Sequence, residues 1–146
     1  AHVADASVPF AHVREVLTRL KAAGHMLGVC TNKPEALAVS LLDALDLKRF
    51  FGAVLGADTL DVKKPHPRHL SETVKRIGGD MGRTVMIGDS EVDAETARNA
   101  GVPSVIFTFG YTQFDPATFG AAALLDGYDA LEAALAGIAA KLDTEA

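Results

Sequence analysis

The sequence has 146 residues, of which 49% are hydrophobic and 23% charged, and its formal net charge is −5 at pH 7. This length and composition are typical of one folded domain with its own core and argue against a disordered chain. The acidic balance argues against a nucleic-acid surface, which needs a basic face. With no apolar run near the roughly 20 residues of a membrane helix and a lone cysteine that cannot form an internal disulfide, we expect a cytoplasmic protein with no membrane contact.

Strand and helix patterns alternate along the chain. Residues 1–9 carry no periodic pattern, whereas from Val13 onward apolar residues recur at helical spacing until Gly24. The alternation predicts an α/β fold, a Rossmann-like parallel sheet with helices on both faces. In chain order, the predicted strands are 26–31, 53–56, 84–88, 105–109 and 122–125, the predicted helices are 13–23, 32–45, 68–77, 91–100 and 128–142, and 110–120 is a loop.

Polar side chains follow three of the predicted strands, at the point where each strand ends. They are Thr31 with Asn32, then Lys64, then Asp89 with Asp93. The carboxyl ends of parallel strands share one edge of a sheet, so we expect these clusters to converge there. That edge is the candidate active site.

Thr31 and Asn32 stand where a strand passes into a helix. A hydroxyl beside the free N–H groups of a helix start can bind a phosphate or a carboxylate. A plain helix N-cap explains the same residues and, for these two alone, is the favoured interpretation. Cys30, just before them, is interpreted as a small buried apolar residue.

Lys64 lies in a loop that two prolines stiffen, Pro65 and Pro67. Proline biases the residue before it towards an extended backbone, so the ammonium group can be aimed at an anionic substrate with less entropy lost. A solvated surface charge is the alternative for Lys64, and it is the preferred interpretation for Lys63.

Asp89 and Asp93 open a helix directly after an apolar strand. Mg²⁺ commonly takes one or two protein carboxylates and leaves its other positions to water and to substrate phosphate. Ser90 and Asp93 also match a helix capping box, and both interpretations can hold at once. Glu91 and Glu95 are interpreted as acids of the helix surface.

The remaining polar candidates are interpreted as structural or surface groups. The five histidines lack the spacing of a zinc site, and each is expected at the surface or in a loop. Arg98 and Asn99, late in their helix, are expected to be surface groups. The histidines are His2, His12, His25, His66 and His69.

Three of these motifs together resemble the haloacid dehalogenase-like hydrolases, in particular the phosphoglycolate phosphatase branch. They are the segments 31–34, 64–67 and 88–93. The resemblance implies that Thr31, with Asn32 beside it, binds the transferring phosphoryl group and that Lys64 neutralises it. It also implies that Asp89 binds Mg²⁺, while Asp93 supports the metal's water shell and the lysine.

The family's first motif, which carries a nucleophilic aspartate, is absent from this sequence. Asp5 has neither an acidic partner nor a preceding apolar strand and is not assigned to it. We therefore expect residues 1–8 to be a linker from a missing helical cap, and 9–146 to be an incomplete core that lacks its central strand. The 146 residues alone are expected to be inactive.

The resemblance implies a Mg²⁺-dependent phosphatase acting through an aspartyl-phosphate on a small anionic phosphorylated metabolite, with 2-phosphoglycolate as the expected substrate. Two alternatives stay open. One is a domain that binds Mg²⁺ and phosphate without catalysis, which the absent nucleophile favours. The other is a phosphoryl transferase similar to β-phosphoglucomutase, which shares the motifs and differs mainly in its cap.

Overall fold

The computed structural model describes residues 13–107, 121, 123–125 and 131–145. The predictions for 1–9 and for the loop at 110–120 lie outside these residues. None of the described helices is long and apolar enough to cross a membrane. The helices are α1 (Val13–Ala22), α2 (Glu35–Ala44), α3 (Pro67–Arg76), α4 (Glu91–Ala100) and α5 (Leu131–Glu145), and the strands are β1 (Gly28–Cys30), β2 (Ala53–Leu55), β3 (Met86–Gly88), β4 (Ser104–Phe107) and β5 (Ala123–Leu125).

The predicted order of strands and helices is confirmed, and the differences lie at the ends of elements. The strand predicted over 26–31 is reduced to β1, because β1 pairs with β2 only from Gly28 opposite Ala53 to Cys30 opposite Leu55. Two short 3₁₀ turns, Lys48–Phe50 and Met81–Arg83, were not predicted. Each lies just before a strand, where no apolar periodicity marks it.

The strands pair in parallel, as predicted, and within the described residues they form two separately hydrogen-bonded sheets. One sheet pairs β1 with β2, and the other has the order β3, β4, β5. Direct pairing of β1 with β3 would have contradicted the expectation of a further strand between them, and the described part of the chain contains no such pairing. A cavity of about 370 Å³ is lined by Gly28 and Cys30 of β1 and by Val85 and Ile87, which lie just before and within β3.

Helices cover both faces of these sheets, as predicted. Val29 and Cys30 are neighbours in β1, yet they pack into different apolar clusters, because successive side chains of a strand point to opposite faces. The cluster around Val29 includes α1, α2 and α5, and the cluster around Cys30 includes α3 and α4. Because α3 contacts β1, β2 and α4, it links the two sheets.

Candidate active site

Thr31 follows β1 and is buried, with 1% of its surface exposed. Its backbone N–H donates to Leu55 O at 2.9 Å, and its hydroxyl oxygen accepts from the N–H of Lys33 at 3.1 Å. The interpretation of Thr31 and Asn32 as a helix N-cap is wrong, because the N-cap of α2 is Pro34, which has no side-chain cap.

The N-terminus of α2 is capped instead by the loop that follows β2. Asp58 Oδ1 accepts from the N–H of Glu35 at 2.8 Å, and the N–H of Ala57 donates to Lys33 O at 2.8 Å. A side chain at Gly56 would collide with the backbone of Lys33 and Glu35, so only glycine allows this approach. The loop after β2 thereby fixes the segment between β1 and α2 that carries Thr31.

His69 was predicted to lie at the surface or in a loop, and that prediction is wrong. It lies in α3 with none of its surface exposed, and its Nε2 is 3.0 Å from Gly56 O. A carbonyl oxygen only accepts, so Nε2 is assigned the proton. The sequence does carry the signal, because the buried residues of α3 recur at helical spacing: His69, Leu70, Thr73 and Val74.

Asn32 holds the backbone of Lys64 with both ends of its carboxamide. Its Nδ2 donates to Lys64 O at 2.9 Å, and its Oδ1 accepts from the N–H of Lys64 at 3.0 Å. Two hydrogen bonds to one residue fix both the position and the direction of its backbone. The amide predicted to contact substrate contacts the backbone of Lys64, 32 residues further along the chain. Residues 63–66, which precede α3, are called the lysine loop below.

Lys64 forms a buried ion pair with Asp93. Its Nζ donates to Asp93 Oδ1 at 2.7 Å, and the two side chains are 1% and 0% exposed. The alternative of a solvated surface lysine is therefore wrong for Lys64, whereas Lys63 is exposed as predicted. Charges this deeply buried occur when they are paired and hydrogen-bonded.

The second oxygen of Asp93 organises the start of α4. Oδ2 accepts from Ser90 Oγ at 3.0 Å and from the N–H of Asp89 at 3.1 Å, and Ser90 Oγ is the N-cap acceptor for the N–H of Asp93. The capping interpretation is confirmed, and Asp93 contacts the lysine as well. Gly88 leaves the room for this carboxylate, since a Cβ there would collide with it.

Asp89 stands directly after β3 and is half-buried, whereas Asp93 is enclosed. Within the described residues, no group of three or more His, Cys, Asp or Glu side chains gathers closely enough to hold a metal ion. The donor set nevertheless suits Mg²⁺, which takes few protein carboxylates and keeps several waters. Asp89 is the acid of this pair that could offer an oxygen to the ion.

Asn99 was predicted to be a plain surface group, but it also contacts the lysine loop. The residue is exposed, and its Nδ2 donates to Pro65 O at 3.0 Å. The two residues are 34 positions apart in the sequence. No spacing within α4 reveals this contact, because it depends on how α4 packs against α3 and the loop before it.

Comparison with known proteins identifies the family to which the chain is similar. The family model for haloacid dehalogenase-like hydrolases matches residues 1–107. The chain is similar to the phosphoglycolate phosphatase of Caulobacter vibrioides, with 54% identity over 121 residues, covering 83% of this chain and 51% of that protein. It is also similar to the phosphoglycolate phosphatase of Mesorhizobium japonicum, with 45% identity over 130 residues and coverages of 89% and 57%.

A solved structure described as a predicted phosphoglycolate phosphatase from Haemophilus somnus 129pt has a similar fold. Its TM-score is 0.80 at 30% sequence identity, and the match covers 85% of this chain and 56% of that one. The chain thus spans about half the length of the curated relatives that it matches.

Proposed function

Because this chain belongs to the haloacid dehalogenase-like hydrolases, we propose that it forms the core of a Mg²⁺-dependent phosphatase that hydrolyses a small phosphomonoester. The observation that carries the proposal is the buried ion pair of Lys64 and Asp93 beside the half-buried Asp89. This arrangement holds a fixed cation next to an acid at a strand end. The names of the relatives support 2-phosphoglycolate as the substrate.

In this mechanism a nucleophilic aspartate outside the sequence attacks the phosphorus atom. Its carboxylate oxygen forms the new P–O bond, the ester P–O bond breaks, and the leaving oxygen takes a proton from the second aspartate of the same absent motif, the family's general acid. Water then hydrolyses the aspartyl-phosphate and releases inorganic phosphate. Lys64 would offset negative charge on the phosphoryl oxygens, and the Thr31 hydroxyl would bind one of them. A fixed charge that needs no rearrangement during the reaction is an effective form of catalysis.

Asp89 would hold Mg²⁺, and Asp93 would position the groups around it. When bound, the ion supplies positive charge that neutralises the phosphate oxygens. Asp93 keeps the ammonium group of Lys64 in place and, through its second oxygen, accepts from the N–H of Asp89. The acid beside the metal and the cation beside the phosphate are thereby connected through one carboxylate.

We further propose that the nucleophile lies on a strand between β1 and β3. The two strands belong to separate sheets, and residues from β1 and from the β3 segment line a cavity of about 370 Å³. An added parallel strand would pair with both edges, and each buried hydrogen bond left unmade there costs roughly 1–3 kcal/mol. Its carboxyl end would reach the edge where Thr31 and Asp89 stand.

Lys64→Ala in the natural full-length protein tests the proposed activity, with Lys63→Ala as the matched control. Hydrolysis of 2-phosphoglycolate is measured with Mg²⁺ and with a chelator. Lys64→Ala should lower kcat/KM by about 10²- to 10³-fold, the usual effect of removing one charge-stabilising group. Lys63→Ala should leave it unchanged, because Lys63 is exposed. Equal activities of the two variants would remove Lys64 from the site.

The two alternatives give different results in the same assay. A domain that only binds would show Mg²⁺ and phosphate binding without turnover in the wild-type protein. A phosphoryl transferase would yield a phosphorylated product from a sugar phosphate in place of inorganic phosphate. Release of inorganic phosphate that depends on Mg²⁺ and on Lys64 is expected.

A further inference from the structure

The backbone of Lys64 and Pro65 is held by side chains from two other segments. Asn32, after β1, makes two hydrogen bonds to Lys64, and Asn99, in α4, makes one to Pro65. The side chain of Lys64 then reaches Asp93, which belongs to the same helix as Asn99. The lysine is therefore attached to α4 at two points, by its ammonium group and by the carbonyl of the next residue.

Asn32 fixes the backbone of Lys64 relative to the segment after β1, but the ion pair alone does not tie that backbone to α4. A lysine side chain has four rotatable bonds, so its ammonium group can stay near a carboxylate while the backbone moves. A hydrogen bond to the carbonyl of Pro65 removes that freedom, because it ties the loop backbone to the helix that carries the carboxylate. The distance between the two attachment points on α4 is fixed, since Asp93 and Asn99 lie six positions apart in one helix.

We propose that Asn99 is a positioning residue of this site, one that fixes the lysine loop to α4 so that the ammonium group of Lys64 stays aimed at the reacting phosphate. The catalytic part of this inference rests on the proposed phosphatase function. Asn99 touches no reacting group. Its effect passes through the carbonyl of Pro65 to the backbone of Lys64.

Asn99→Ala separates this role from a general contribution to stability. Alanine has the higher helix propensity, so the substitution favours α4 while it removes the donor to Pro65 O. A second variant, Asn99→Asp, keeps the shape of the side chain but replaces the donor with a carboxylate that only accepts. Both variants should loosen the loop, and neither fills or empties the core, because the residue is exposed.

The control is Arg14→Ala. Arg14 Nη2 donates to Leu45 O at 2.8 Å, which is also a hydrogen bond from an exposed side chain to a backbone carbonyl, across 31 residues. It joins α1 to the residue after α2, and neither Arg14 nor Leu45 belongs to the lysine loop or makes one of the hydrogen bonds that hold it. A general loss of stability would affect this variant as much as Asn99→Ala.

The first readout needs no enzymatic activity. The side chain of Lys64 is 1% exposed, while Lys63 beside it is exposed, so an amine-acylating reagent should label Lys63 much faster. Peptide mass spectrometry gives the ratio of the two rates. Asn99→Ala and Asn99→Asp should raise the relative rate of Lys64 by about threefold to tenfold, the factor that corresponds to one neutral hydrogen bond. Arg14→Ala should leave the ratio unchanged.

The second readout is turnover of 2-phosphoglycolate by the natural full-length protein. Asn99→Ala should lower kcat by about threefold to tenfold with a smaller change in KM, because the charge facing Lys64 grows in the transition state. A wild-type protein without turnover would contradict the proposed function and leave the acylation test standing. Acylation ratios within twofold of wild type in both Asn99 variants, or an equal rise in Arg14→Ala, would overturn the positioning role.

Discussion

Replacing Lys64 with methionine should destabilise the fold far more than an ordinary surface substitution. Methionine keeps an unbranched apolar side chain and removes the ammonium group, which leaves the carboxylate of Asp93 fully enclosed without its cation. At 2.7 Å and an effective dielectric constant of about 20, the attraction within the pair is about 6 kcal/mol. Desolvation of the two ions offsets most of this attraction, so the intact pair contributes little net stability.

Removing one partner lowers the free energy of unfolding, because the desolvation of the remaining charge is no longer offset. Such changes typically cost about 3–5 kcal/mol, a large part of a total stability of about 5–15 kcal/mol. If the free energy of unfolding falls by about 2 kcal/mol per molar urea, the unfolding midpoint should fall by about 2 M. The hydrogen bonds from Ser90 and from the N–H of Asp89 keep the loss from being larger.

Urea unfolding of a double-mutant cycle provides the measurement. The variants are Lys64→Met, Asp93→Asn and the two combined, with Lys63→Met as the surface control. The double variant should lose about 2–3 kcal/mol less than the sum of the single losses, since neither residue then leaves an unpaired buried charge. Two results would refute the assignment of a buried, coupled pair. One is a stability loss in the double variant equal to the sum of the losses in the single variants. The other is an unfolding midpoint for Lys64→Met equal to that of Lys63→Met.

Three further substitutions test other features. Gly88→Ala should destabilise the protein by about 1–3 kcal/mol in thermal unfolding, because its Cβ would displace Asp93. Gly137→Ala, within α5 and with open space around it, should stabilise by about 0.5–1 kcal/mol, and a loss there as large as at Gly88 would contradict this account. A hydrogen bond from Arg49 and its charge hold the pKa of Asp46 below its usual value of 3.8. The ionised Asp46 therefore stabilises the fold above pH 3.8. The loss of folding stability in Asp46→Asn should shrink as the pH falls through the lowered pKa. A loss of stability that does not change with pH would contradict this prediction.

The sequence was sufficient to predict the order of the helices and strands, because each has a local signature. The apolar residues of α1 at helical spacing are all buried, and Gly101, which closes α4, has a positive φ of 72° that favours glycine. The capping role of Ser90 was also visible, since it depends on residues three positions apart.

What could not be predicted depends on contacts between distant segments. Asp58 caps a helix that begins 23 residues earlier, and Asn99 contacts a loop 34 residues away. Asn32 shows the same limit, because sequence spacing does not reveal that its carboxamide bonds the backbone of Lys64.

The separation of β1 from β3 also bears on how the site can arise during folding. Lys64 is held by Asn32 on the side of β1 and β2, whereas Asp93 belongs to the helix that packs on β3 and β4. A conformation with both sheets formed but not packed together would keep Lys64 and Asp93 apart. The ion pair of Lys64 and Asp93 therefore requires the two sheets to be docked, so a substitution that weakens their docking would separate the pair even if each sheet stayed folded.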